Sequence, residues 1–269
     1  MSADQTTQAE LIAVAHALAD AARPVTLEHF RTMGLTTDNK GGGTFDPVTI
    51  ADRAAEQAMR AILAQQRPQD AILGEEFGHQ PGTSGLTWVL DPIDGTRGYI
   101  SGTPTWGVLI SVADETGPLF GIIDQPYIGE RFAGGFGIAE VKGPMARADL
   151  KCRTGRRLAD ATIMTTFPEV GNASDGRAFH AVASQAKLTR YGMDCYAYAL
   201  VAAGQVDLVI EAGLNAYDIQ APIAVITAAG GIVTDWDGGP VHKGGRAIAA
   251  ANPDIHAEAL AILQSSING

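Results

Sequence analysis

The spacing of hydrophobic positions changes along the chain, and the change predicts how the chain is organised. From Thr7 to about Ala22, the residues Leu11, Ile12, Val14, Ala15 and Leu18 recur at helical spacing and predict an amphipathic opening helix. Pro24 is expected to end or kink it. A second helix is expected from about Thr49 to Gln66, with Met59, Ile62 and Leu63 on one face, and the glycine-rich stretch Lys40 to Thr44 before it is expected to be a flexible loop. From Gln69 to Val141 the texture shortens to β-like runs separated by turn residues: Ala71–Gly74, Thr87–Leu90, Trp106–Ala113, Pro118–Gln125 and Glu130–Gly135. These predict an antiparallel sheet.

The polar segment from Val141 to Arg157, with Gly143-Pro144, reads as a subdomain boundary. After it strand-like runs (Ala161–Thr165, Leu188–Tyr191, Asp207–Glu211, Gly231–Thr234) alternate with helix-like ones (Gly176–Gln185, Ala197–Ala203, Ile219–Ala229, and a last around Ala257–Leu263). Such alternation predicts an α/β half. The expected division is therefore an N-terminal α+β subdomain over 1–142 and a C-terminal α/β subdomain over 143–269 that completes the pocket.

Composition narrows the function classes. Of 269 residues 46% are hydrophobic, enough for a large core, so a disordered chain is excluded. With 19 Lys and Arg against 30 Asp and Glu, the net charge of -11 would repel a nucleic acid. Cys152 and Cys195 are far apart and form neither a disulfide framework nor a zinc site, which fits reduced thiols in a cytoplasmic protein. The longest apolar stretch, Ala221 to Val233, is thirteen residues long and is broken by Pro222 and a Gly-Gly pair, so no secretion signal or membrane span is expected.

The densest chemistry lies in Trp88-Val-Leu-Asp91-Pro-Ile-Asp94-Gly95-Thr96, an apolar strand running into two acids, a glycine and a hydroxyl. If the chain turns into a helix there, Asp91 and Asp94 converge, while Gly95 and Thr96 offer backbone N–H groups to an anion. Glu75 follows a second apolar run, and Asp218 follows the strand Leu208–Glu211. Three carboxylate sites at strand ends supply hard oxygen donors of the kind that suits Mg²⁺, and without a cation they would repel a phosphate. The acids of this run are spaced Asp-x-x-Asp and not the Asp-x-Asp that a haloacid-dehalogenase enzyme needs, and there is no Gly-x-Ser-x-Gly elbow and no His-x-x-x-His pair, which disfavours covalent and histidine-metal plans.

The set Asp46-Pro-Val-Thr-Ile-Ala-Asp52, Gly74-Glu75-Glu76, Asp91-Pro-Ile-Asp-Gly-Thr96 and Tyr217-Asp218 resembles the inositol monophosphatase superfamily over essentially the whole chain. The resemblance implies a layered α-β-α-β-α sandwich of the sugar-phosphatase type and a homodimer. It also implies a phosphatase for small phosphorylated metabolites with two or three Mg²⁺ ions. By the same resemblance Glu75, Asp91, the Ile93 carbonyl, Asp94 and Asp218 would hold metal. Asp52 and Thr96, with Glu75, would orient the attacking water, and Lys40 would approach the phosphate from its loop; the residue-level alternative is a solvated loop lysine.

Within the superfamily, Phe45–Arg53, Asp91–Gly107, Arg190–Tyr198 and Val233–Pro240 look like the histidinol-phosphate phosphatase branch, with inositol-1-phosphate and fructose-1,6-bisphosphate as alternative substrates. Gly95, Thr96, Arg190, Asp194 and Glu211 form the expected substrate-binding set. Asp194 and Glu211 would stand beside the leaving alcohol, where two acids suit the cationic histidinol. A helix cap is the other reading of Asp194.

Overall fold

The computed structural model describes residues 5–32, 37–39, 47–144 and 147–268. Helix α1 spans Gln5–His29 and buries Leu11, Val14, Ala15, Leu18 and Ala22, the stripe expected from the sequence. Of the two outcomes expected at Pro24, an end is ruled out, since the helix runs on to His29. Its ring costs one helical N–H, but tertiary contacts hold the following turn. Arg23 pairs with buried Asp124 at 2.6 Å, and the Thr26 carbonyl accepts the Tyr99 hydroxyl at 2.7 Å. The short strands β1 (Thr37–Asn39) and β2 (Pro47–Thr49) pair antiparallel and lead into α2 (Ile50–Gln66). Lys40 and the glycine-rich stretch that follows it, expected to be a flexible loop, lie outside the described residues.

A mixed sheet follows, with β3 (Ala71–Gly74), β4 (Gly78–Gln80), β5 (Thr87–Asp94), the short helix α3 (Thr96–Ile100), then β6 (Gly107–Asp114) and β7 (Gly117–Gln125). It is completed by β8 (Glu130–Gly135), β9 (Ile138–Lys142) and β10 (Arg147–Asp149), in the order β10-β9-β8-β7-β6-β5-β3-β4. The pairing is antiparallel except between β3 and β5, which run parallel, so the sheet is not purely antiparallel as expected. The departure matters for function, because parallel neighbours bring their C-terminal ends, and hence Glu75 and Asp91, to the same edge.

The second sheet contains β11 (Thr162–Thr165), β12 (Leu188–Tyr191), β13 (Leu208–Asn215), β14 (Ile232–Thr234) and β15 (Gly244–Ala250), in the order β12-β11-β13-β15-β14. Its helices are α4 (Ala173–Ala183), α5 (Asp194–Ala202), α6 (Ala216–Ala228) and α7 (Pro253–Asn268). Strand β15, which sits between β13 and β14, was not among the strands expected from the sequence.

Side-chain alternation sorts these elements into layers. Val108, Ile110 and Val112 of β6 point to α1 and α2, with Leu18, Ala55 and Met59 in the same cluster. Leu109 points the other way, with Ile123 and Phe132, into a middle core shared with Val201, Ile219 and Val225 of α5 and α6 and with Val209 and Ala249 of the second sheet. Leu208, Ile210 and Ile248 face a third core with Phe179 of α4 and Leu263 of α7. The result is α1/α2, sheet, α5/α6, sheet, α4/α7: the layered α-β-α-β-α arrangement. Among the described residues no helix is long and apolar enough to cross a membrane.

Candidate active site

The acids meet where the strand ends of both sheets approach each other. In a regular strand Asp91 and Asp94, three apart, would point to opposite faces. The pairing of β5 with β6 shifts register between them, and this irregularity turns both carboxylates to one side. Asp218 reaches the same point from the first turn of α6, and carboxylate atoms of Asp91, Asp94 and Asp218 all lie within 4.8 Å of one another. Glu75 follows β3; its N–H donates to the Leu90 carbonyl at 3.1 Å, which ties it to β5 one residue before Asp91.

These groups strain against being charged together. Burial first, then the charges of Glu75, Asp94 and Asp218, push the Asp91 carboxyl well above the usual carboxylate range. Burial, then Asp194 and Asp218, does the same to Asp94. Asp218 rises to about 7, mainly through burial, although an N–H of its own helix cap opposes the rise. A cluster of this kind either takes up protons or binds cations. All-oxygen donors, converging and mutually repelling, fit a hard divalent cation such as Mg²⁺.

Two helices deliver their acids by the same device. Asp52 of α2 and Asp218 of α6 each sit third in their helix and bond back to the cap residue: Asp52 Oδ2 accepts Thr49 N–H at 2.9 Å, and Asp218 Oδ2 accepts Asn215 N–H at 2.6 Å. One oxygen of Asp52 is thereby held, and the other faces the Thr96 hydroxyl, with Oδ1 3.5 Å from Thr96 Oγ1. Thr96 Oγ1 also lies 3.1 Å from the Ile93 carbonyl oxygen. Burial raises the Asp52 carboxyl to about 6.

A cavity of about 630 Å³ opens over this cluster, lined by Glu75, Asp91, Ile93, Asp94, Gly95 and Thr96 on one side and by Thr166, Phe167, Asp194, Tyr198 and Glu211 on the other. Asp194 opens α5 with a φ of +46°, uncommon for a residue with a side chain. Its carboxylate accepts a hydrogen bond from Thr105 and none from the helix amides, so it does not act as a cap. Gly95 accommodates it: at φ +82° a Cβ there would sit 2.6 Å from Asp194 Cγ. Burial raises the Asp194 carboxyl, against the Thr105 hydroxyl. Glu211 is held by Thr166 N–H at 3.0 Å, Thr166 Oγ1 at 2.6 Å and the Tyr198 hydroxyl at 2.9 Å.

The structure therefore gathers Asp52, Glu75, Asp91, Ile93, Asp94, Gly95, Thr96, Asp194, Glu211 and Asp218 around one site. Arg190 is not with them. It lies exposed on the edge strand β12, outside the cavity lining, so its expected contact with substrate is not supported by its position. Lys40 lies outside the described residues. Sequence reading assigned nothing to Thr105, Thr166, Tyr198 or Phe167. Thr105 stood within a recognised motif, but its partner Asp194 is 89 positions away, and no local spacing announces such a pair.

Comparison with known proteins places this geometry. The model of the inositol monophosphatase family matches residues 7–268. The bifunctional phosphatase IMPL2 of Arabidopsis thaliana is 40% identical over 94% of this chain and 74% of its own length. The histidinol-phosphatase of Streptomyces coelicolor is 36% identical over 93% of this chain and 95% of its own. Among solved structures, an inositol monophosphatase from Zymomonas mobilis superposes with a TM-score of 0.83 at 38% identity, covering 94% of this chain and 97% of that one. The family match runs through every acid of the cavity, and the chain belongs to the inositol monophosphatase family as a phosphatase of phosphoric monoesters.

Proposed function

We propose that the protein hydrolyses L-histidinol phosphate to L-histidinol and phosphate with Mg²⁺ as cofactor. The charge of the cavity wall carries this reading. Four of its acids, Glu75, Asp91, Asp94 and Asp218, belong to the cation cluster, yet Glu169, Asp194 and Glu211 also line the cavity, and Arg97 is the one basic side chain among the described lining residues. Acids in excess of those needed for metal suit an alcohol that is itself cationic. Histidinol carries an ammonium and an imidazole, whereas inositol is neutral and a bisphosphate would add negative charge. The half-exposed ring of Phe167 stands at the rim beside these acids, with the Arg97 guanidinium over it 5.0 Å from its centre. The Arabidopsis and Streptomyces relatives, one named bifunctional and one a histidinol-phosphatase, add support.

Glu75, Asp91, the Ile93 carbonyl, Asp94 and Asp218 would hold two or three Mg²⁺ ions. Bound there, Mg²⁺ offsets the acids, attracts the phosphate dianion and makes water more acidic. The chain supplies orientation and a proton acceptor. Thr96 has one hydroxyl proton, and when ionised Asp52 takes it in a hydrogen bond, the Thr96 oxygen keeps a lone pair with which to orient a water. An Asp52 carboxyl raised to about 6 is matched to accepting a proton near neutral pH. Asp194 and Glu211 receive the substrate cation, and Gly95 lets Asp194 approach. A cytoplasmic homodimer is part of the same reading.

Turnover of histidinol phosphate, inositol 1-phosphate and fructose 1,6-bisphosphate, measured side by side at saturating Mg²⁺, tests the assignment. The highest kcat/KM is expected for histidinol phosphate. A preference for inositol 1-phosphate would overturn it, and the 38% identity to the Zymomonas inositol monophosphatase makes that the outcome to exclude first.

A further inference from the structure

Helix α2 carries a second acid one turn beyond Asp52. Glu56 is fully buried and is not part of the cavity lining. It accepts three hydrogen bonds: from Arg60 Nε at 2.7 Å, Glu76 N–H at 2.7 Å and Phe77 N–H at 3.2 Å. Two of the donors are the backbone amides that immediately follow Glu75. Gly74, on the other side of Glu75, closes against the same carboxylate, since a Cβ at that position would stand 1.9 Å from Glu56 Oε1.

The Gly74–Phe77 turn is therefore clamped from two directions. Glu75 N–H bonds to β5 through Leu90, and the two amides after it bond to α2 through Glu56. A carboxylate accepting backbone N–H groups makes charge-assisted bonds, stronger than those between neutral groups. Its own charge is met by Arg60, whose Nη2 also donates to the Gly78 carbonyl at 2.6 Å and whose guanidinium lies over the Phe77 ring, 5.9 Å from its centre. Arg60 thus closes the far side of the turn.

We propose that Glu56 is a positioning residue for Glu75: it fixes the turn so that the Glu75 carboxylate stands beside Asp91, and so sets the affinity for the metal ion that Glu75 helps to hold. The inference rests on the reading of Glu75 as a metal ligand. Acids four apart share one face of a helix, and α2 uses them differently. Asp52 faces Thr96, which lines the cavity, while Glu56 supports the backbone behind Glu75. Partners that orient metal ligands commonly change metal affinity by about 10–100-fold when removed.

The test measures Mg²⁺ binding by calorimetry on the full chain, together with the Mg²⁺ concentration that half-saturates p-nitrophenyl phosphate hydrolysis. Both are read well below each variant's Tm. Glu56→Gln keeps shape but turns an NH2 towards amide or guanidinium donors. Glu56→Asp keeps the charge that Arg60 needs and withdraws the carboxylate by one methylene; it carries the test if the glutamine variant does not fold. Each is expected to weaken one Mg²⁺ site about 10–100-fold. Glu75→Gln should weaken the same site, and the double variant Glu56→Gln/Glu75→Gln should bind no worse than Glu75→Gln alone. Variants of Glu56 that lose Tm yet bind Mg²⁺ like wild type would overturn the proposal, as would additive losses in the double variant. Unchanged Mg²⁺ binding in Glu75→Gln would instead show that the ligand reading itself is wrong.

Discussion

Thr105 Oγ1 donates a hydrogen bond to Asp194 Oδ2 at 2.9 Å, across 89 positions of sequence. The bond fixes a half-buried carboxylate on the wall of the cavity, where the proposed reading has it meet the substrate cation. If Asp194 pairs with the substrate cation, its removal costs roughly 2–5 kcal/mol, about 30-fold or more in kcat/KM. Asp194→Ala should show that loss with histidinol phosphate and little loss with p-nitrophenyl phosphate, whose leaving group has no cation. Thr105→Val, which removes only the positioning bond, should cost about 3–10-fold with the same selectivity. Equal losses on both substrates would place Asp194 with the fold or the metal instead.

Asp91 has Glu75, Asp94 and Asp218 around it, and after burial their charges hold its carboxyl well above the usual carboxylate range. Asp91→Asn keeps the shape and removes the charge, so Mg²⁺ affinity and turnover should fall together while the far-UV circular dichroism stays that of wild type. Excess chelator should abolish turnover in the wild type. Activity that survives the chelator, or an Asp91→Asn variant with wild-type rates at limiting Mg²⁺, would contradict the assignment.

Thr96 and Asp52 touch each other but not, through these atoms, the alcohol half of the cavity. Thr96→Ala and Asp52→Asn should therefore lower kcat, the latter by about 100-fold or more, and leave KM for histidinol phosphate little changed at saturating Mg²⁺. A rise in KM with kcat preserved would mean that the pair binds substrate.

Much of this site was legible in the sequence because its clustered acids lie at strand ends and helix starts, where local pattern is strong. The run from Trp88 to Thr96 announces both the buried strand and the acids at its end. What was not legible depended on distant parts of the chain. Pro24 reads locally as a helix end, yet Arg23–Asp124 and Thr26–Tyr99 carry the helix past it. Strand β15 reads as glycine and alanine, with little apolar bulk to mark it, because it is buried between β13 and β14 where small residues suffice. Arg190 sits in a recognisable motif, but its position on an edge strand turns it to solvent.

The raised carboxyls also fix how stability should depend on pH and on metal. Asp52 and Asp218 move from an ordinary 3.8 to about 6 and about 7 in the metal-free fold. Between those limits the folded chain holds protons that the unfolded chain has released. Their stabilising effect is thus complete below about pH 4 and is lost as pH rises through 6 to 7. Burial lowers His16 and His256, which opposes this trend in the same range. The informative quantity is therefore the rise in Tm on adding Mg²⁺ at each pH, in which the histidines cancel. Mg²⁺ competes with the protons on the acids, so the increment should be small at pH 5 and large at pH 8. At 100 times Kd it should reach about 2.7 kcal/mol, about 5–10 °C for a chain of this size. Asp218→Asn should flatten the dependence, since it removes one of the titrating groups. An increment that stays constant from pH 5 to 8 would mean that Mg²⁺ stabilises the protein without displacing these protons, and that the buried acids are not its ligands.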